Sequence, residues 1–395
     1  MGYLKFNERG WREMKAAKLI GLGLLLALCV ALAAGCGSDS DSGDSTSTPT
    51  SGGETEASAD SGIATAQKEA AFWEEERGPI KIPPLSEPAP KDATIAIVSC
   101  PIPACKATTS GAKAAAEELG WSIDYKTYEL TPESYQKTVA DVAKDPPEAY
   151  VWISAFPNET IEASLQTMAD AGTAIVQLSP QAFEEPTELV PSVLQGGPYF
   201  EQGGEVAAYK ILADAGEATD TVVIYDPSYG VFKSTLTGFE NTYSELCPDC
   251  GLSTLELSLA APAPQQMSQV TNYLAQNPDV KYMFFPLSDQ AAALPETLEA
   301  AGLSDVQFVT QTAGLPDLEH VKEGKQLATI QNENFAAGYR AIDAGLRIMV
   351  EGNPGLERYP KGYNRILTEE SAVPGELPTT PGVPDVYLKA WGLEG

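Results

Sequence analysis

The stretch that decides the fold is Gln326–Arg340, QLATIQNENFAAGYR. Its apolar segment Leu327–Ile330 predicts a short strand, and the polar run Gln331–Asn334 predicts a corner that leads into a helix. Because strands and helices alternate before this stretch, we interpret it as the point where the chain leaves one globular lobe and enters another. Gln331 and Asn332 would then lie in a hinge, at the mouth of a cleft that could hold a small ligand.

Upstream of this stretch, strand and helix patterns alternate in two series. The strand segments are almost continuously apolar, as expected for parallel strands that are covered on both faces. The strands are predicted at 93–99, 122–128, 149–154, 173–178 and 192–195, and then at 221–225, 253–258, 282–286, 307–310 and 327–330. Repeated strand–helix units imply right-handed crossovers. The predicted fold class is therefore α/β, with two similar Rossmann-like lobes, each built on a parallel sheet.

The two series also predict the division of the chain. The first lobe is expected to comprise residues 92–196 and 333–365, and the second lobe residues 197–332 and 366–395. A three-segment hinge would join them, with crossings at 196–198, 331–334 and 366–370. Such hinge segments absorb a change in backbone conformation while each lobe moves as a rigid body.

Composition and missing motifs exclude several classes of function. The chain has 395 residues with 55 acidic and 25 basic side chains, a net charge of −30, which argues against binding to nucleic acid. Its single histidine, His320, leaves little room for histidine-based catalysis or a histidine-rich metal site. Nucleophile-elbow, P-loop and Rossmann motifs are all absent from the sequence. We therefore predict a protein that is not an enzyme and needs no cofactor or metal.

The amino terminus has the pattern of an export signal. Five basic residues precede the apolar run 19–34, which is short for a membrane span. The last two residues of the run begin the sequence AAGC, whose final residue is Cys36. This ending resembles a bacterial lipobox, which implies cleavage after residue 35 and lipidation of Cys36. The alternative is an ordinary secretory signal followed by an incidental cysteine. The resemblance predicts an extracytoplasmic protein that is anchored to the cell membrane.

The segment 36–91 is expected to be a linker. Residues 37–62 are mostly Ser, Thr, Gly, Asp and Glu, which predicts a disordered tether. A short helix could form at 64–76, and the five prolines within 77–91 predict an extended connector. On this interpretation the folded body begins near Asp92.

Four cysteines remain after the lipidated one. In an exported protein, Cys100, Cys105, Cys247 and Cys250 are expected to form two local disulfides, Cys100–Cys105 and Cys247–Cys250. A four-cysteine zinc site and a redox pair at Cys247–Cys250 are the alternatives, since both use the CxxC spacing.

From Asp92 to its end, the chain resembles the type I periplasmic solute-binding proteins that serve ABC importers, in particular the ribose/galactose-like branch. The resemblance rests on DPSYGVFKSTLTGFENTY, FFPLSDQAA, LATIQNENFAAG and the order of elements in GLSDVQFVTQTAGLPDLEHVKEGKQLATI. It implies a monomeric, lipoprotein-type receptor that delivers a small polar ligand to an ABC transporter permease. A sensor that presents its closed form to a membrane receptor would have the same lobes and is the second interpretation.

The resemblance and the chemistry of sugar recognition together suggest the ligand-binding residues. Planar polar groups would contact hydroxyls, and aromatic faces would cover C–H surfaces. The predicted residues are Ser154, Phe156, Tyr229, Phe232, Lys233, Ser288, Asp289, Gln311, Gln331 and Asn332. Ordinary packing of the aromatic rings, a solvated Lys233 and a purely structural hinge amide at Asn332 are the alternatives.

Two departures from the sugar-binding pattern bear on the ligand. Ser179-Pro180 replaces the Asp-Arg pair that sugar-binding members commonly carry, and Thr312 stands where an aspartate is expected. A different polyhydroxy compound, a nucleoside or another uncharged metabolite therefore remains open beside a simple pentose or hexose.

Overall fold

The computed structural model describes residues 59–154, 156–179, 185–355, 364–376 and 379–393. The signal segment, Cys36 and Pro180 lie outside these residues. The strands are β1 Thr94–Ser99, β2 Ser122–Thr127, β3 Ala149–Ile153, β4 Ala174–Leu178, β5 Ser192–Leu194, β6 Asp220–Tyr225, β7 Leu252–Glu256, β8 Val280–Phe285, β9 Gln307–Gln311, β10 Ala328–Asn332 and β11 Asn364–Leu367. The α-helices are α1 Ala59–Glu74, α2 Pro103–Glu118, α3 Pro132–Val142, α4 Glu162–Asp170, α5 Gly197–Ala215, α6 Gly230–Leu246, α7 Ala263–Gln276, α8 Leu294–Ala301, α9 Leu315–Lys322, α10 Asn334–Glu351 and α11 Val383–Trp391.

The strands form two sheets, one in each lobe. The sheet of the first lobe has the order β2-β1-β3-β4-β5 and is parallel throughout. The sheet of the second lobe has the order β11-β10-β9-β8-β6-β7, in which β11 alone runs antiparallel. This arrangement confirms the α/β fold with two parallel-sheet lobes.

Each sheet lies inside its own apolar core, as the continuous strand sequences predict. In the second lobe, α5 and α6 cover one face of the sheet, and α7 and α8 cover the other. In the first lobe, α2 and α10 pack closely at Gly338. A Cβ at this position would lie only 2.3 Å from the backbone nitrogen of Ala112, so the contact requires glycine. A larger side chain at Gly338 would push the two helices apart.

The amino-terminal segment differs from the expectation of a linker that precedes the folded body. Residues from Ala59 onward form α1, whose buried side chains join the core beneath α5 and α6. The Nζ of Lys210 on α5 lies 2.9 Å from Oε1 of Glu74, which fixes the end of α1. After α1 the chain is extended, as predicted, but it packs on the first lobe through Ile80, Ile82 and Leu85.

The carboxyl terminus also departs from the predicted division. The chain has reached the second lobe by Asn364, because β11 pairs with β10 there. The final helix α11 packs in the first lobe, where Tyr387 and Trp391 lie against Tyr339. Assigning all of 366–395 to the second lobe was therefore wrong, since 383–391 returns to the first. The apolar side of α11 packs against α10 of the first lobe, and not against the sheet of the second lobe.

No helix within the described part of the chain combines the length and the apolarity that a membrane span requires.

Candidate functional site

A cavity lies between the two lobes, at the carboxyl ends of their parallel strands. It encloses about 860 Å³, part of which is open to solvent. This is the edge of an open α/β sheet at which ligands bind. The first lobe contributes residues after β1, β3 and β4, and the second lobe contributes residues after β6, β7, β8 and β9. A ligand in this cavity would touch both lobes.

Four of the predicted ligand-binding residues line the cavity. They are Ser154, Tyr229, Phe232 and Asn332. Tyr229 precedes the first residue of α6, and its ring makes an edge-to-face contact with Phe232 at 5.8 Å between centroids. Burial raises the pKa of Tyr229, and the neighbouring Asp226 adds to this shift. Tyr229 is therefore a neutral hydroxyl at physiological pH.

Asn332 is the last residue of β10 and the only one of these four in the predicted hinge. The polar corner was expected at 331–334, but Gln331 and Asn332 continue the strand by pairing with Arg365 and Asn364 of β11. The side chain of Asn332 is 6% exposed, and its Oδ1 has no hydrogen-bond partner among the described residues. A buried acceptor of this kind is normally satisfied, so a ligand could complete it.

The other six predicted residues lie outside the lining of the cavity. Lys233 and Asp289 are exposed. Gln311 is fully buried against α5, since a Cβ on Gly203 would meet its amide at 2.1 Å. The remaining three are held in other contacts: Ser288 donates to the Thr312 carbonyl at 2.8 Å, Phe156 packs against Tyr128 and Tyr135, and Gln331 donates to Glu333.

Glu333, which follows Asn332, connects the end of β10 to the segment that precedes α11. Glu333 is buried, and its carboxylate accepts hydrogen bonds from the backbone and the hydroxyl of Thr380 and from Gln331. Burial raises the pKa of Glu333, although these hydrogen bonds oppose the shift. The segment that leads to α11 is thus tied to the crossing at β10, on the side away from the cavity.

Sequence reasoning missed most of the apolar lining. The missed side chains include Ile102, Leu130, Phe200, Leu259 and Leu287. Several lie in loops after predicted strands, so the rule about strand ends could have found them. The aliphatic ones are absent from the predicted set because that set consists of polar and aromatic side chains, and Phe200 is absent because it lies within α5 rather than after a strand.

Both predicted disulfides are present. Cys100–Cys105 joins the end of β1 to α2 with Cα atoms 5.7 Å apart, and both residues line the cavity. Cys247–Cys250 closes the turn after α6, with Cα atoms 5.3 Å apart. No cluster of three or more metal-binding side chains occurs in the described ranges. The cysteines are therefore cross-links, and the first of them shapes the wall of the cleft.

The comparison with protein families identifies the chain. The model of the periplasmic binding protein domain matches residues 100–353, which contain every strand of the two sheets except β1 and β11. The chain belongs to this family. The recognition of a type I periplasmic binding protein is therefore confirmed, and the family comprises solute-binding transport proteins rather than enzymes. No curated protein gives a significant sequence match to the chain.

Solved structures share the fold of this periplasmic binding protein at low sequence identity. A periplasmic ribose ABC transporter protein from Conexibacter woesei is 15% identical with a TM-score of 0.60, and the match covers 73% of this chain and 95% of that one. A solute-binding protein from Actinobacillus succinogenes with bound D-allose is 16% identical with a TM-score of 0.61, covering 71% and 99%. A protein described as a LacI transcriptional regulator, from Bacteroides fragilis, is 17% identical with a TM-score of 0.60, covering 71% and 98%. The fold alone therefore serves both transport and regulation.

Proposed function

We propose that this protein is a membrane-anchored, extracytoplasmic solute-binding protein that captures a small polar ligand and delivers it to an ABC importer. The ligand is a sugar or a sugar-like compound, and the partner is the importer's permease. The observation that carries the proposal is the cavity between the lobes, to which the hinge residue Asn332 contributes a buried, unpartnered amide oxygen. Neighbouring structures whose names refer to ribose transport and D-allose support the ligand class.

Closure of the lobes around the ligand supplies the mechanism. A ligand that contacts both lobes binds the closed state more tightly than the open state, and only this difference in affinity can shift the equilibrium. Each lobe has its own core, so the lobes can move as rigid bodies about the crossing segments. The permease would then recognise the closed form.

Replacing Asn332 by alanine is expected to weaken ligand binding by about 5- to 150-fold, or about 1–3 kcal/mol. The physical reason is the loss of an amide that a buried polar ligand would use. Mass spectrometry of ligand released from purified protein would identify the compound, and calorimetry would give its affinity for both proteins. The radius of gyration from small-angle scattering should fall when the ligand saturates the parent protein.

Asn241→Ala is the matched control, because Asn241 is an exposed amide on α6, away from the cavity. It should bind the ligand like the parent. Equal affinity of Asn332→Ala and the parent would make the hinge amide structural. An unchanged radius of gyration at saturation would refute capture between the lobes.

Replacing Cys36 by serine should release the protein from membranes. This prediction is based on the sequence AAGC at the end of the amino-terminal apolar run, in which Cys36 would receive the acyl chains. Dual acylation gives stable anchoring, whereas the described residues contain no helix able to span a membrane. Fractionation and intact-mass analysis would compare both proteins; membrane retention with an unchanged mature mass in Cys36→Ser would contradict lipidation.

A further inference from the structure

The walls of the cavity are mainly apolar on both sides of the cleft. In the first lobe, Ile102, Leu130 and Ile153 line it beside the Cys100–Cys105 disulfide. The facing wall in the second lobe consists mainly of Tyr229, Val231, Phe232, Leu259, Pro286 and Leu287. Apart from the Tyr229 hydroxyl, such surfaces cover the flat or aliphatic faces of a ligand and offer no hydrogen-bonding side chain to its hydroxyl groups.

Within the described part of the chain, none of the side chains that line the cavity is charged. Lys233 and Asp289, which were expected to contact the ligand, are exposed instead. Asp226 is buried beside the cleft, but its two oxygens accept hydrogen bonds from the backbone nitrogens of Ser228 and Leu259 at 2.9 and 2.8 Å. The carboxylate thereby positions the loop that carries Leu259. An ion buried in this cavity would lack a counter-charge, and an anion would also meet the net charge of −30.

Three hydroxyl groups of the lining are hydrogen-bonded to the protein. The hydroxyl of Thr108 donates to the Ala104 carbonyl at 3.3 Å, and that of Ser154 donates to the Phe156 carbonyl at 2.9 Å. The hydroxyl of Ser179 donates to the side chain of Gln195 at 3.3 Å. Of the side chains that line the cavity, Asn332 presents a buried acceptor that has no partner in the described ranges, and Tyr229, Thr312 and Asn334 are the other polar ones. A bare monosaccharide, whose hydroxyls surround the whole ring, would bury several of them unpaired.

From these observations we infer that the cleft selects an uncharged compound with an apolar ring, which donates a hydrogen bond to Asn332. This inference rests on the proposed function and narrows its ligand class. Among sugar-like compounds, it favours those that carry an aromatic or alicyclic substituent over bare pentoses and hexoses.

Two fluorophores that share one ring system test the inference. N-phenylnaphthylamine is uncharged and carries one N–H donor, whereas anilinonaphthalene sulfonate adds a negative charge to the same rings. The full chain with Cys36→Ser would be used, because removal of the expected acyl chains keeps detergent out of the assay. We expect N-phenylnaphthylamine to bind one per chain, and the sulfonate to bind at least about tenfold more weakly.

Variants then locate the bound fluorophore. Leu130→Asp places a carboxylate in the first-lobe wall and Leu259→Asp places one in the second-lobe wall, both at partly buried positions. Each should weaken the binding of N-phenylnaphthylamine at least about tenfold. Leu315→Asp is the control, because Leu315 is 43% exposed and lies outside the cavity. Thermal unfolding curves would establish that all variants are folded.

The outcomes separate this inference from the proposed function. Equal binding of both fluorophores, or binding that neither Leu130→Asp nor Leu259→Asp weakens, overturns the inference. If D-ribose or D-glucose closes the lobes and N-phenylnaphthylamine does not bind, the inference fails and the proposed function stands. Absence of any ligand-driven change in the radius of gyration, for the fluorophore and for the sugars alike, counts against both.

Discussion

Replacing Trp73 by alanine is expected to lower the free energy of unfolding by about 3–5 kcal/mol, the usual cost of truncating a buried tryptophan. Trp73 is 4% exposed and lies in the core of the second lobe, in the same cluster as Ile211 of α5 and Tyr243 of α6. Its loss would leave a large cavity between α1 and these helices. Urea unfolding followed by circular dichroism would measure the change.

Phe72→Ala provides a matched control on the neighbouring residue. Phe72 is 43% exposed, and Cζ of Arg77 lies 4.1 Å from the centroid of the Phe72 ring. Removal of this exposed ring should lower the free energy of unfolding by no more than about 1 kcal/mol. If Trp73→Ala is no more destabilising than Phe72→Ala, then α1 does not belong to the folded lobe. A large difference would establish that the segment before Asp92 is part of the structural core.

The sequence contained the signal for α1, although not for its partner. Ile63, Ala66, Ala70 and Trp73 recur at helical spacing, which marks an apolar stripe. Three of these four residues lie in the short helix predicted at 64–76, but the Ser-, Gly- and Asp-rich sequence before it favoured a linker outside the folded body. The sequence could not predict that α1 packs on α5 and α6, because the surface that it covers exists only after the second lobe has folded.

The βα pattern was predicted well because it depends on local periodicity. The strands that precede α10 lie within a few residues of their predicted positions, since most of them are short, apolar and bounded by turn residues. By contrast, β11 has only the four residues Asn364–Leu367 and is fixed by its antiparallel pairing with β10. Non-local pairing of such a short segment leaves almost no trace in the sequence.

The candidate site shows a different kind of limit. The rule about strand ends selected segments that border the cavity, and Tyr229 and Phe232, both taken from one of these segments, line it. Expecting polar contacts for a sugar then favoured Lys233, whose side chain lies one residue further along α6 and is exposed. On a helix, adjacent residues point about 100° apart, so the loop can be predicted more reliably than the side chain that faces the ligand.

A buried carboxylate fastens the carboxyl-terminal helix to the first lobe. Asp343 of α10 is 2% exposed and accepts hydrogen bonds from Nε of Arg347 at 2.9 Å and from Nε1 of Trp391 at 2.8 Å. Arg347 also pairs with Glu351, at 3.2 Å, and donates to the carbonyl of Pro83. One ion pair therefore connects α10, α11 and the extended segment that follows α1.

Replacing Asp343 by alanine should lower the free energy of unfolding by about 3–5 kcal/mol, because it removes the closer of the two carboxylates that pair with the buried Arg347 and leaves the Trp391 N–H buried without an acceptor. Hydrogen exchange of the α11 amides should accelerate more than exchange in β8, at the centre of the other lobe. Asp385→Ala is the control, since Asp385 is an exposed carboxylate on α11 and its removal should change stability by less than about 0.5 kcal/mol. If the two substitutions have equal effects, or if exchange in α11 does not change, α11 is not held to the first lobe by Asp343. The predicted outcome would mean that α11 belongs to the first lobe, although it follows strand β11 of the second lobe in the sequence.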